Sequence, residues 1–163
     1  MDFYNDYPQC EWTNYSWAGL SDEVKAKLYP MLRRGIEGKS QIEAANRIIN
    51  FVQTAFDYKT DGDQFGYERS LFADESFFYP YNDCEDRSYL FSILMKDLLG
   101  LEVVLLHYPG HLATAVHYTE PLSGSYFTMD GKAWFISDPT YIGANVGECM
   151  PQYVKTSPEV YKL

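Results

Sequence analysis

The chain is 163 residues long, 46% hydrophobic and 22% charged, with a formal net charge of −10 and an isoelectric point near 4.6. That length fits one domain able to bury roughly 70% of its unfolded surface, and the composition excludes a disordered polyelectrolyte. The acidic excess leaves no basic stripe to neutralise phosphates, which argues against a nucleic-acid partner. No run of about 18 apolar residues is present to span a membrane.

The opening stretch, Met1-Asp2-Phe3-Tyr4-Asn5-Asp6-Tyr7-Pro8, reads like the interior of something longer. The lack of a positively charged, apolar leader therefore leaves the compartment open. Residues 1–20 show no period and are expected to form an irregular arm packed on the body. Ser21-Asp22-Glu23 opens a short helix running toward Leu28, which Pro30 should disturb. Gly35 and Gly38 punctuate the chain beyond it.

Ser40-Gln41-Ile42-Glu43 has the form of a capping box. Ile42, Ala45, Ile48, Ile49, Val52 and Phe56 recur at three- and four-residue steps, which predicts an amphipathic helix ending near Asp57. Residues 59–82 follow as a long loop, polar at first and then rich in Phe and Tyr. Loops of that length inside a compact domain are usually functional.

Asp83 and Asp86 form a second capping box, with Asp83 as N-cap. Leu90, Ile93, Leu94 and Leu98 make one apolar stripe, and Gly100 is placed as a left-handed stop. Strand-like runs then follow at 101–108, 112–119, 125–129 and 133–137. Pro109-Gly110 and Asp130-Gly131 mark turns between them, the second favouring a tight hairpin. Helices followed by consecutive strands give an α+β fold, with N-terminal helices packed on an antiparallel sheet.

Fifteen tyrosines suit wet core edges and peptide-binding grooves alike. The three cysteines, Cys10, Cys84 and Cys149, are an odd number, so at least one is free or pairs between chains. None stands at CxxC spacing, which disfavours redox and structural-zinc roles. Cys10 and Cys149 could form one disulfide.

Cys84 follows the N-cap and so lies in the first turn of a helix. Free backbone N–H groups and the helix dipole there favour a thiolate and could receive an oxyanion. Asp83, Glu85 and Asp86 oppose that ionisation, so an imidazolium partner would be needed. Packed alone, Cys84 would be a small buried hydrophobe.

His111 begins a strand after Pro109-Gly110, at the sheet's rim. By the period of two it shares a face with Ala113, Ala115 and His117, two small residues that would let a helix approach closely. His107 and His117 lie within strands and are expected to be structural. His107 and His111 stand four apart, but on a turn-interrupted segment rather than one helical face, which disfavours zinc. Asp138 ends the last strand before Pro139-Thr140, which cannot continue a ladder. If that strand pairs antiparallel with the one beginning at His111, the carboxylate reaches the imidazole and holds its tautomer.

Three segments together resemble the transglutaminase-like superfamily, distant kin of papain-like thiol peptidases. They are Cys84-Glu85-Asp86-Arg87-Ser88 at a helix start, Gly110-His111-Leu112-Ala113 opening a strand, and Asp138-Pro139-Thr140 closing one. The resemblance covers about residues 40–142. It implies Cys84 as nucleophile, His111 as general base and acid, and Asp138 as orienter, with a transglutaminase-like, papain-like core. Gln64 and Asn82 are candidates for an oxyanion-hole side chain beside the backbone N–H of Cys84. Members commonly carry an aromatic after the histidine, where Leu112 stands here.

The expected organisation is a single domain over 1–163. Residues 1–39 form the arm and short helix, 40–142 the catalytic core and 143–163 a C-terminal tail. The expected activity is acyl transfer through a Cys84 thioester, as a cysteine peptidase or amidase acting on a peptide or protein substrate, with neither cofactor nor metal. Two alternatives stay open: a catalytically silent binding or structural module, and amine transfer onto protein glutamine.

Overall fold

The computed structural model describes residues 11–163. Cys10 and the first half of the expected arm lie outside the described residues. The second half is a helix rather than an irregular segment: α1 spans Trp12–Ala18. It has no side-chain N-cap, and seven residues are too few to hold a helix by propensity alone. Tertiary contacts hold it instead. Tyr15 stacks on Tyr89 at 5.0 Å, and Ser92 donates its hydroxyl to Ser16 at 2.9 Å.

Helix α2 (Asp22–Ile36) starts where expected, with the Ser21 hydroxyl accepting from the Val24 N–H. It does not stop at Pro30 but runs through it for six more residues. An interior proline costs about 3 kcal/mol. Leu28 and Tyr29 before it are buried, and Leu32 and Ile36 beyond it pack against the same core. Burial of each such side chain contributes about 1.5–3 kcal/mol when complete, enough to carry the helix onward.

Helix α3 (Gln41–Thr54) has the expected reciprocal capping box between Ser40 and Glu43. Its stripe of Ala45, Ile48, Ile49 and Val52 is buried against the long helix α5 (Cys84–Leu99). Between them the long loop is more structured than expected. It contains β1 (Asp57–Tyr58), the single-turn α4 (Asp61–Gln64), a 3₁₀ turn (Glu75–Phe77) and β2 (Tyr81–Asn82), with β1 and β2 parallel.

Helix α5 is buried on most of its circumference: every residue from Cys84 to Met95 except Glu85 is buried. A helix buried on all sides belongs at the centre of a fold, and α5 lies between α1, α3 and the sheet. Gly100 ends it in the left-handed conformation, at φ 66° and ψ 25°.

The five-stranded antiparallel sheet has the order β5-β6-β4-β3-β7. Its strands are β3 (Glu102–Tyr108), β4 (His111–His117), β5 (Tyr126–Met129), β6 (Lys132–Ser137) and β7 (Glu159–Lys162). The Asp130-Gly131 turn has both residues at positive φ, as a tight hairpin requires. The expected C-terminal tail instead contributes β7, which pairs with β3 from Val104↔Lys162 to His107↔Glu159. The fold is therefore α+β, with helices on one face of an antiparallel sheet.

One expectation about the sheet is corrected. Ala113 and Ala115 face away from α5, packing with Trp134, Ile136, Cys149 and Tyr153. Leu112 and Val116 are the β4 residues turned toward the helices. Among the described residues no helix is long and apolar enough to cross a membrane.

Candidate active site

Three chain segments meet at the end of the sheet where α5 begins. Asp83 caps the helix, its carboxylate accepting from the Glu85 and Asp86 N–H groups at 3.2 and 3.4 Å. Asp86 accepts in return from the Asp83 N–H at 3.3 Å and also from the Leu71 N–H at 2.8 Å. The second contact ties the loop of residues 59–82 to the helix N-terminus.

Cys84 occupies the first turn and is 6% exposed. Its thiol donates to Glu85 Oε2 at 2.9 Å. Burial, then the neighbouring Glu85 charge and its hydrogen bond, push the thiol well above the usual range, against the favourable Leu112 backbone N–H. Magnitudes decide the outcome. A helix N-terminus favours an anion by about 0.3–1 kcal/mol, up to ~2 in partly buried sites. Complete burial shifts a pKa by about 3–5, each whole step being about 1.36 kcal/mol. The acids beside Cys84 add to the burial, so the sulfur rests as a neutral thiol.

The carboxylates here also raise one another. Asp83 is pushed up to about 9 by burial and then by Asp86, Glu85 and Asp61. Asp61 rises to about 6, chiefly by burial. One carboxylate oxygen each from Asp61, Glu68 and Asp83 lie within 4.8 Å of one another. Sequence reading missed this grouping, because Asp61 and Glu68 reach Asp83 only through the folded loop.

The second segment is the start of β4. His111 is 8% exposed and Asp138 2%. Imidazole Nε2 and carboxylate Oδ2 are 2.8 Å apart, as expected from antiparallel pairing of their strands. The β4–β6 register joins Thr114 to Ser137, so Asp138 stands just past the ladder, diagonal to His111. Its other oxygen accepts from the Thr140 N–H at 2.9 Å. With both oxygens engaged, the carboxylate is fixed against Nε2, and Nδ1 takes no part in that contact.

Two residues with no role expected from the sequence build this arrangement. Ser88, one turn beyond Cys84, donates to the Leu112 carbonyl at 3.0 Å. This docks the first turns of α5 on the strand that His111 opens, and the Cys84 thiol lies against the Leu112 backbone. Gln53, 2% exposed on α3, donates to the carbonyls of Tyr141 and Ala144 at 2.9 and 3.0 Å. Its carbonyl accepts from the Gly143 N–H at 3.1 Å, so it holds the turn that follows Asp138. A signal for Gln53 was present: it stands four residues after Ile49, on the buried face of α3.

His107 packs edge-on against Trp12 at 4.6 Å, and His117 Nδ1 lies 3.0 Å from the Ala133 carbonyl; both serve the fold. Cys149 is a free thiol. Asn82 is 2% exposed, and neither its side-chain N nor its O has a hydrogen-bond partner. Gln64 Oε1 is likewise buried without one.

Among the described residues, cavities lined by other residues open elsewhere. One, of about 430 Å³, includes Lys96, Glu102 and Trp134; another, of about 760 Å³, lies between α2 and α3. Cys84, His111 and Asp138 line neither of them. Comparisons with protein-family models, with curated proteins and with solved structures find no match to this chain.

Proposed function

We propose that this chain is a transglutaminase-like cysteine peptidase or amidase that cleaves peptide amide bonds through a thioester on Cys84. The observation that carries the reading is the buried His111–Asp138 pair at 2.8 Å, standing at the sheet end where α5 presents Cys84.

In this reading Asp138 holds the Nε2–H tautomer, so Nδ1 can accept the thiol proton. The sulfur, released from Glu85, attacks the amide carbon, and a C–S bond forms as the proton moves to His111. Backbone N–H groups at the start of α5 receive the oxyanion. His111 then returns the proton to the leaving amine as the C–N bond breaks. Water, deprotonated by the same imidazole, hydrolyses the thioester and regenerates the thiol.

A second reading is a binding or structural module that retains the arrangement without turnover. The neutral, buried thiol hydrogen-bonded to Glu85 favours it. Profiling against a peptide-amide library separates the two. Turnover that disappears in Cys84→Ala and falls about 10⁴-fold in Asp138→Asn supports the enzyme. The amide introduced by the second substitution would donate to Nε2 and leave Nδ1 protonated, unable to take the thiol proton. Absence of turnover, with equal alkylation of Cys84 in wild type and His111→Ala at neutral pH, sinks it.

A further inference from the structure

Cys84, His111 and Asp138 are each less than 10% exposed, so little of the nucleophile's residue or its partners faces solvent in this conformation. A ring that covers the imidazole is identifiable. The Tyr153 ring lies parallel to the His111 imidazole, with an interplanar angle of 3° and centroids 5.2 Å apart. Its other neighbour is Tyr108, stacked at 4.6 Å and 26°. Tyr108 and His111 are paired across β3 and β4, so one ring closes the end of that strand pair. Burial and then the nearness of Cys84 and Asp138 push the Tyr153 hydroxyl up.

Residues 148–158, which carry Tyr153, are attached differently from their flanks. On one side Gly147 donates to the Ile136 carbonyl and accepts from the Ser125 N–H, both at 2.7 Å. The same residue packs so closely on Gly124 that a Cβ there would meet the Gly147 oxygen at 2.3 Å. On the other side Glu159 enters the sheet opposite His107. Between these anchors, the Tyr153 N–H donates to Met150 and the Thr156 N–H to Tyr153, both at 2.9 Å and both within the segment. Side-chain packing of Tyr153 and Cys149 on the sheet face joins its middle to the body.

We propose that residues 148–158 form a strap whose Tyr153 ring closes access to Cys84, so that an acyl donor reaches the sulfur only when the strap swings off His111. The inference rests on the reading of Cys84 as the nucleophile and adds how that site is regulated. Two fixed ends and a middle seated by side chains are what a local opening needs: the strap can lift while β7 stays paired.

Alkylation of Cys84 by iodoacetamide, followed residue by residue in a tryptic digest by mass spectrometry, tests this apart from turnover. Tyr153→Ala is expected to accelerate labelling of Cys84 about tenfold or more, and to do so equally in a His111→Ala background. Equal labelling of His111→Ala and the double variant overturns the strap. Equal labelling of wild type and His111→Ala overturns the activated thiol and leaves the strap standing. Hydrogen exchange on the wild type gives a readout that needs no variant to fold. The Tyr153 and Thr156 amides should exchange at least tenfold faster than those β7 amides that bond to β3. Protection equal to that of β7 overturns the proposal.

Discussion

The Cys84 thiol donates its proton to the carboxylate of Glu85, the next residue in the chain, across 2.9 Å. Glu85, which adds to burial in holding the sulfur neutral, is therefore adjacent in sequence, whereas the group proposed to deprotonate it comes from another strand. Glu85→Gln removes the charge and weakens the acceptor while leaving burial unchanged. The thiol should then ionise at lower pH, so the pH profile of Cys84 alkylation moves to the acid side. A profile that stays in place would mean that Glu85 does not restrain the sulfur.

The acidic loop links stability to pH. Burial raises Asp61 to about 6 in the folded state, against about 3.9 in an unfolded chain. The folded state thus binds the proton more tightly. The stability linked to Asp61 is fully present below about pH 3.9 and is lost as pH rises through about 6. Asp61→Asn keeps an oxygen for the Arg69 N–H, now accepted at 2.7 Å, and removes the titration. Urea midpoints measured from pH 4 to 7 should fall less with rising pH in the variant than in the wild type. Parallel curves would show that Asp61 titrates normally.

Asn82 combines near-complete burial with an amide that bonds to nothing. Leaving such a group unpaired costs about 1–3 kcal/mol, and an apolar residue of similar shape removes the cost. Asn82→Leu is expected to melt at or above the wild-type temperature. If the amide swings to serve the oxyanion once the site opens, the same variant loses about 10²–10³ in turnover. A lower melting temperature with turnover intact would show that the amide has a structural partner and no catalytic one.

The parts of this fold that read directly from the sequence are those whose physics is local. Ser21, Ser40 and Asp83 accept backbone N–H groups two to three residues ahead, and Gly100 and the Asp130-Gly131 turn need positive φ. Those choices involve adjacent residues only. His111 and Asp138 also came through, because a glycine-led strand start and a proline-terminated strand end fix where antiparallel neighbours must meet.

Other features depended on distant partners. Trp12–Ala18 is helical because Tyr89 and Ser92 receive it, and α2 continues past Pro30 because the core rewards Leu32 and Ile36. Strand β7 is specified by the open edge of β3 rather than by any pattern of its own. The ionisation of Cys84 was the closest contest. Its helix position and its acidic neighbours were legible and pointed in opposite directions. Only the packing around the thiol decided between them, because desolvation depends on every atom that excludes water, and those atoms come from segments far apart in the chain.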